Sequence, residues 1–156
     1  MAHETVRIGI VGAGENTRRR HIPGLQEIED VNIMAVCNRT QTSSQRVAAE
    51  FSIPKTYDSW EELVEDPQID AVVIGTWPYM HCPVTLAALE TGKHVLCEAR
   101  MAMNLDEARR MKAMADAHPE LVAQVVPSPF SLRVDQTIHR LIKEGYLDST
   151  GVQDVF

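Results

Sequence analysis

Five short apolar blocks recur along the chain: Val6–Val11, Val31–Cys37, Ala71–Ile74, His94–Cys97 and Leu121–Val126. They are rich in Val and Ile and mostly free of polar interruptions. Such runs predict strands of a parallel sheet covered on both faces, where no solvent face imposes alternation. The segments between them carry helix punctuation. Thr42 with Gln45, Asp58 with Glu61, and Asn104 with Glu107 each set a capping side chain three residues before an acid or amide. Pro83 suits the first turn of a helix over Val84–Glu90, and Gly92 suits its end. After Asn104, Leu105, Ala108, Met111 and Ala115 recur on one helical face, with Asp106, Arg109, Arg110 and Lys112 pointing away. Strand alternating with helix predicts an α/β fold, a doubly wound parallel sheet in a three-layer αβα arrangement with right-handed crossovers.

A chain of 156 residues is enough for one such core. The pattern changes late. Pro127-Ser128-Pro129 breaks the last apolar block, a helical stretch follows over about 132–144, and Gly145 closes it. Val152–Phe156 then reads as the opening of a further strand. The expectation is a domain over 1–148 and, over 149–156, the truncated start of a second one.

Composition removes several function classes. Hydrophobic residues make up 44% and charged residues 24%, and mean hydropathy is −0.18. No apolar run reaches the ~18–20 residues of a membrane span, and the first residues lack the basic-then-apolar build of a secretion signal. A net charge of −7 argues against a general nucleic-acid binder. Cys37, Cys82 and Cys97 are odd in number, far apart and form no C-x-x-C, so neither a disulfide framework nor a metal site is expected. A reducing compartment, the cytoplasm, is the expectation.

The candidate chemistry begins where the first block ends. Val11-Gly12-Ala13-Gly14-Glu15-Asn16-Thr17 follows a strand directly and opens a helix. In a dinucleotide-binding unit the first glycine makes the tight turn. The second lets backbone approach the pyrophosphate, which rests on free N–H groups at the helix N-terminus. Gly12 and Gly14 fit those two positions; the third, normally small, is Thr17. A plain βα turn is the competing reading, and the βαβ context favours a cofactor. Cofactor choice rests on the end of the second block. An acid there grips ribose hydroxyls and repels the extra phosphate of NADP, whereas this chain has Asn38-Arg39-Thr40. An amide, a guanidinium and a hydroxyl suit a 2′-phosphate. A charge-assisted bond of about 1.5–3 kcal/mol corresponds to roughly ten- to a hundredfold preference. Hence NADP is expected, with NAD the second choice if Arg39 is merely solvated.

Several of these residues together resemble the N-terminal domain of the Gfo/Idh/MocA family, the glucose–fructose oxidoreductase and inositol dehydrogenase group. The most specific stretch is Leu86-Ala87-Ala88-Leu89-Glu90-Thr91-Gly92-Lys93-His94-Val95-Leu96-Cys97-Glu98, similar to the family's A-L-x-x-G-K-H-V-x-x-E run. Asp70-Ala71-Val72-Val73-Ile74 is similar to its fourth strand and Asn104-Leu105-Asp106-Glu107-Ala108 to its next helix start. The resemblance implies a Rossmann-type fold, a nicotinamide dinucleotide, a small polyhydroxy substrate, and a second α/β domain carrying most substrate contacts and the homo-oligomer interface.

Two departures stand out. The family's Glu-Lys-Pro is Glu98-Ala99-Arg100 here, so the position of the lysine that helps proton transfer holds Ala99. The resemblance leaves Glu98 and Arg100 as the candidate catalytic residues, with Glu98 also beside the cofactor. Arginine can orient or polarise a substrate but does not shuttle protons near neutrality. The family's Thr-Pro-Asn-x-x-His is Thr76-Trp77-Pro78-Tyr79-Met80-His81, which the resemblance puts beside the nicotinamide and its ribose. Trp77 either stacks on the cofactor or, with Tyr79, covers the sheet's carboxyl edge. His81 is expected on the cofactor side. His21, His94, His118 and His139 show no partner pattern and read as structural.

The leading expectation is an oxidoreductase that moves hydride between NADP(H) and a sugar, polyol or related hydroxy compound, with the 156-residue chain alone binding nucleotide but turning over slowly or not at all. The alternative is a non-catalytic nucleotide-binding or sensor protein, motivated by Ala99. A methyltransferase with a similar glycine loop leaves the Gly92–Glu98 run unexplained.

Overall fold

The blocks Val6–Val11, Val31–Cys37, Ala71–Ile74 and His94–Cys97 are largely buried or half-buried. Leu121–Val126, expected to be covered on both faces, lies instead at the sheet edge with no buried residue. Each block satisfies its backbone by laddering with a neighbour. The computed structural model describes residues 5–127 and 135–145. Its strands are β1 (Val6–Val11), β2 (Val31–Cys37), β3 (Lys55–Thr56), β4 (Ala71–Ile74), β5 (His94–Cys97) and β6 (Ala123–Val125). They form one sheet in the order β3-β2-β1-β4-β5-β6, and every pair is parallel. This is the Rossmann arrangement, and the strand order reverses between β1 and β4. Open α/β sheets bind ligands at such a switch point.

The helices are α1 (Ile22–Gln26), α2 (Gln41–Phe51), α3 (Trp60–Glu65), α4 (His81–Glu90) and α5 (Leu105–Ala117). Alternate side chains along the strands feed two cores. Ile8, Ile10, Val36 and Val73 pack with Ile22 and Val47 on one face. Val11, Val72, Ile74 and Val95 pack with Leu63, Val84, Leu89 and Met111 on the other. The doubly wound αβα expectation is met.

Local structure differs from the expectations at further points, and α4 starts at His81, three residues before the expected Val84. β3 is a strand the apolar pattern missed: it is two residues long and polar. The cap of α2 is Thr40, whose hydroxyl accepts from the Ser43 N–H, and not Thr42. The cap of α3 is Ser59, accepting from Glu62 N–H, and not Asp58. Leu105, expected on the buried face, stands 64% exposed at the start of α5, and the buried residue of that helix is Met111, six positions on. Asn104 caps α5 as expected, and Glu107 returns a bond from Met103 N–H. Gly92 ends the α4 segment with φ +74.

Residues up to Val126 make one compact unit and those from Pro127 another. In the second, α6 (Asp135–Lys143) matches most of the helix expected over 132–144. The boundary expected at 148/149 and the strand expected at Val152–Phe156 lie outside the described residues. Among the described residues no helix is long and apolar enough to cross a membrane.

Candidate functional site

Strand register assembles the site. Val11 lies opposite Cys37 on one side and Ile74 on the other, and Ile74 lies opposite Cys97. The residues that follow these four therefore emerge in a row along the carboxyl edge: Asn38, Gly12, Gly75 and Glu98. With neighbouring strands ~4.8 Å apart, the row is on the order of 15 Å long. Residues sixty positions apart in sequence thus share one cleft, with a volume of about 940 Å³.

The middle of the row is the glycine turn. Gly12 has φ +87, and a Cβ there would lie 2.6 Å from Thr76 Cγ2 and 2.8 Å from its backbone nitrogen. Both the dihedral and the approach of the β4 loop demand glycine. Gly14 is different: no positive φ, and the nearest atom to a Cβ would be 3.9 Å away. Folding does not require glycine there, so its bare backbone is open toward the cleft. The Gly12 N–H donates to Cys37 O at 2.8 Å and the Ala13 N–H to Asn38 Oδ1 at 2.7 Å. No acceptor is found among the described residues for the N–H groups of Gly14, Glu15 and Asn16. A diphosphate suits such a cradle: bare backbone, converging donors and a helical start.

Thr17 in the third motif position is accommodated by a second glycine. It is 1% exposed, and its hydroxyl bonds to Gly12 O at 3.2 Å. A Cβ on Gly75 would lie 2.1 Å from that hydroxyl. The chain thus keeps the close packing of turn and strand by making β4's exit bare. After Thr17 the chain runs as a π-helical turn, Thr17–His21, into α1.

On the β2 limb, Asn38 is fully used: besides the Ala13 contact, its amide donates to Ser43 Oγ at 3.1 Å and its own N–H to Ser44 Oγ at 2.8 Å. Thr40 caps α2, while Arg39 is exposed at the cleft with no partner for its guanidinium among the described residues. Asp58 and Glu61 line the same limb. Burial first, and then Glu61, Glu62 and Asp58, push the Cys37 thiol up to about 11. Burial likewise pushes Cys97 up to about 11, so neither thiol ionises near neutrality.

On the opposite limb stand Thr76, Trp77, Glu98 and Ala99. Trp77 is 73% exposed at the rim, and Tyr79 is exposed beside it. Glu98 Oε1 accepts from Asn16 Nδ2 and from His21 Nε2, both at 2.5 Å, and Oε2 accepts from the Ala99 N–H at 2.9 Å. Burial alone would raise this carboxyl, yet the bonds from His21, Ala99 N–H and Asn16 outweigh it and hold Glu98 below the usual carboxylate range. Ala99 presents a methyl group where an acid–base group would be useful.

Of the residues expected at the site, Gly12, Gly14, Glu15, Asn16, Asn38, Arg39, Thr40, Thr76, Trp77 and Glu98 line this cleft; His81 and Arg100 do not. His81 is 1% exposed, with Nδ1 2.8 Å from Arg100 O and Nε2 3.1 Å from Thr76 O. It ties the two loops together from behind. The Arg100 side chain is exposed, and the Ala99–Arg100 peptide is cis. Glu15 is exposed and pairs with Arg19 at 3.0 Å, a solvated i,i+4 contact. Sequence reading missed His21, whose only signal is its position on the turn that the glycine loop opens.

The comparisons with known proteins agree with this geometry. The family described as "Oxidoreductase family, NAD-binding Rossmann fold" matches residues 6–125. A trans-1,2-dihydrobenzene-1,2-diol dehydrogenase from Mus musculus is 35% identical over 127 residues, covering 80% of this chain and 38% of the relative. A 1,5-anhydro-D-fructose reductase from Ensifer adhaerens is 41% identical over 114 residues, covering 70% and 32%. A solved 3-ketoreductase from Actinomadura kijaniata in complex with TDP-benzene and NADP superposes with a TM-score of 0.75 at 22% identity, over 92% of this chain and 45% of that one. The chain thus spans less than half the length of each of these relatives. With its family's NAD-binding fold over 6–125 and the glycine turn at the switch point of the sheet, the chain belongs to the Gfo/Idh/MocA oxidoreductase family.

Proposed function

We propose that this chain is the coenzyme-binding part of an oxidoreductase that moves hydride between NADP(H) and a sugar, polyol or related hydroxy compound. The observation that carries the reading is that the N–H groups of Gly14, Glu15 and Asn16 have no acceptor among the described residues, at a glycine whose bareness packing does not require. Those amides would hold the diphosphate. Arg39, exposed and without a partner among the described residues, would bind the 2′-phosphate with two hydrogen bonds, Thr40 and Ser43 offering hydroxyls beside it. Thr76, Trp77 and Glu98 would form the wall at the other end, and Trp77 would screen that end from water. When bound, the nicotinamide supplies the hydride donor or acceptor. The substrate class follows the named relatives, a diol dehydrogenase and an anhydro-sugar reductase.

The chain offers no lysine for proton transfer at Ala99, and Glu98 has both oxygens occupied. General acid–base help is worth about 10²–10⁴ in rate, so by itself the chain should bind and not turn over. The same Ala99 favours a second reading, a protein that binds the coenzyme as a sensor and consumes none. A longer protein containing this chain, screened with sugars and polyols, separates the two: NADPH consumption belongs to the first and binding without consumption to the second.

The direct experiment titrates the chain with NADPH and NADH, following nicotinamide and tryptophan fluorescence. Arg39→Ala should weaken NADPH binding roughly ten- to a hundredfold and leave NADH nearly unchanged. Equal losses for both coenzymes would remove the phosphate assignment; no binding of either would remove the dinucleotide reading.

A further inference from the structure

Glu98 stands at the cleft wall with His21 directly behind it. Each side chain is under a fifth exposed, at 18% and 16%. His21 does not line the cleft, so it acts there only through the carboxylate it touches. Asn16 on Oε1 and the Ala99 N–H on Oε2 add two further bonds, which hold the carboxylate in this orientation. Nearby charges are otherwise engaged or solvated. On the His21 turn, Arg18 pairs with Glu50, Arg19 pairs with Glu15, and Arg20 is exposed. On the β5 side the next charge, Arg100, is exposed. Among the described residues, Glu98 is the one carboxylate paired with His21.

We propose that His21, acting through Glu98, sets the preference of this site for oxidised over reduced coenzyme. The inference rests on the coenzyme reading above: with Arg39 taking the 2′-phosphate, the limb bearing Glu98 is left for the nicotinamide end. An oxidised nicotinamide ring carries a positive charge and a reduced one is neutral. With a neutral imidazole, the Glu98–His21 pair has a net charge of −1 and favours the oxidised ring. With an imidazolium the pair is neutral and that advantage disappears. Protonation of His21 would therefore be read as a pH dependence of the preference. His21 is a positioning residue in this scheme; it neither takes nor gives the substrate proton.

The experiment measures dissociation constants of NADP⁺ and NADPH for the full chain by calorimetry between about pH 6 and pH 8.5. In the wild type the ratio Kd(NADPH)/Kd(NADP⁺) should rise about tenfold from its low-pH to its high-pH limit, as expected for one unit charge at moderate distance in a partly solvated wall. The 2′-phosphate titrates in the same interval, but both coenzymes carry it and it cancels in the ratio. His21→Gln keeps a hydrogen-bond donor and cannot take the proton, so its ratio should stay at the wild type's high-pH value throughout. Glu98→Gln should hold the ratio below the wild type's high-pH value at every pH. A wild-type ratio independent of pH, with both coenzymes bound, would overturn the role of His21 and leave the coenzyme reading standing. So would a His21→Gln ratio that still follows pH; if that variant does not fold, the wild-type profile decides alone. Failure of the wild type to bind either coenzyme would remove the reading beneath both.

Discussion

The loop joining α3 to β4 and the loop joining β1 to α1 treat polar groups in opposite ways. In the first, nearly everything is paired. Arg7 donates to both oxygens of Asp70 at 2.9 and 2.6 Å, and its backbone N–H adds a third bond at 2.8 Å. Asp66 takes the Tyr57 hydroxyl, the Lys55 ammonium at 2.9 Å and the Gln68 N–H, while its carbonyl takes Lys93. In the second loop, three consecutive N–H groups have no acceptor among the described residues, and Arg39, beside it across the cleft, has no partner. A loop that completes its own bonds contributes to stability. One that leaves donors pointing into a cleft is built for a ligand, because unmade bonds are tolerable only where water or a bound anion can take them.

The contrast yields variants with opposite signatures. The largest effect is expected from Gly12→Val. A β-branched side chain is strained at φ +87, and its Cβ would push on Thr76, which lies on the opposite cleft limb. Coenzyme affinity should fall by more than about a hundredfold, equivalent to ~3 kcal/mol. Calorimetry on material whose circular dichroism matches the wild type checks it. Retention of affinity within about threefold would show that the turn does not hold the diphosphate.

Next comes Asp66, which should do the reverse. The Tyr57 hydroxyl, the Lys55 ammonium and the Gln68 N–H, in that order, hold its carboxyl down to about 2. A carboxylate with a depressed folded-state pKa gives stability that is present above its unfolded value near 4 and lost as pH falls toward 2. From the size of the depression, Asp66→Asn should cost about 2 kcal/mol at neutral pH and flatten the loss of stability below about pH 4. Urea unfolding across pH reads both effects. Coenzyme affinity should not move; if it fell with stability, the two loops would not be independent.

How much of this could be read from sequence depended on how local the cause was. Strands β1, β2, β4 and β5, their parallel pairing and the glycine turn rest on patterns within a few residues, and they appear where expected. β3 escaped because Lys55–Thr56 pairs through backbone alone and carries no apolar block. The caps at Thr40 and Ser59 were displaced by one or two residues because several hydroxyl and carboxyl side chains compete there, and the length of the preceding strand decides among them. The third motif position looked defective in isolation. Only the fold reveals that Gly75, 58 residues later, makes room for Thr17. His21 and Glu98 are 77 positions apart, and no spacing rule joins them. Register alone does so, by bringing the exits of β1 and β5 to the same edge with β4 between.

Trp77 gives the smallest effect and the finest test of the contrast. At 73% exposure it contributes little to the core, so Trp77→Ala should change stability by no more than about 0.5 kcal/mol in urea unfolding. If the indole screens the nicotinamide end, the variant should lose the coenzyme-induced tryptophan quenching and weaken NADPH by about three- to tenfold, the range of one aromatic contact. The buried face of Trp60 on the β2 limb would supply any residual quenching, so the comparison is made as amplitude and affinity together. Unchanged affinity with unchanged stability would assign Trp77 to the rim as a cover for the sheet edge, and the wall would then reduce to Thr76 and Glu98. A fall in stability without a change in binding would place the indole with the self-completing parts of the molecule, on the side of the comparison opposite to where its exposure puts it.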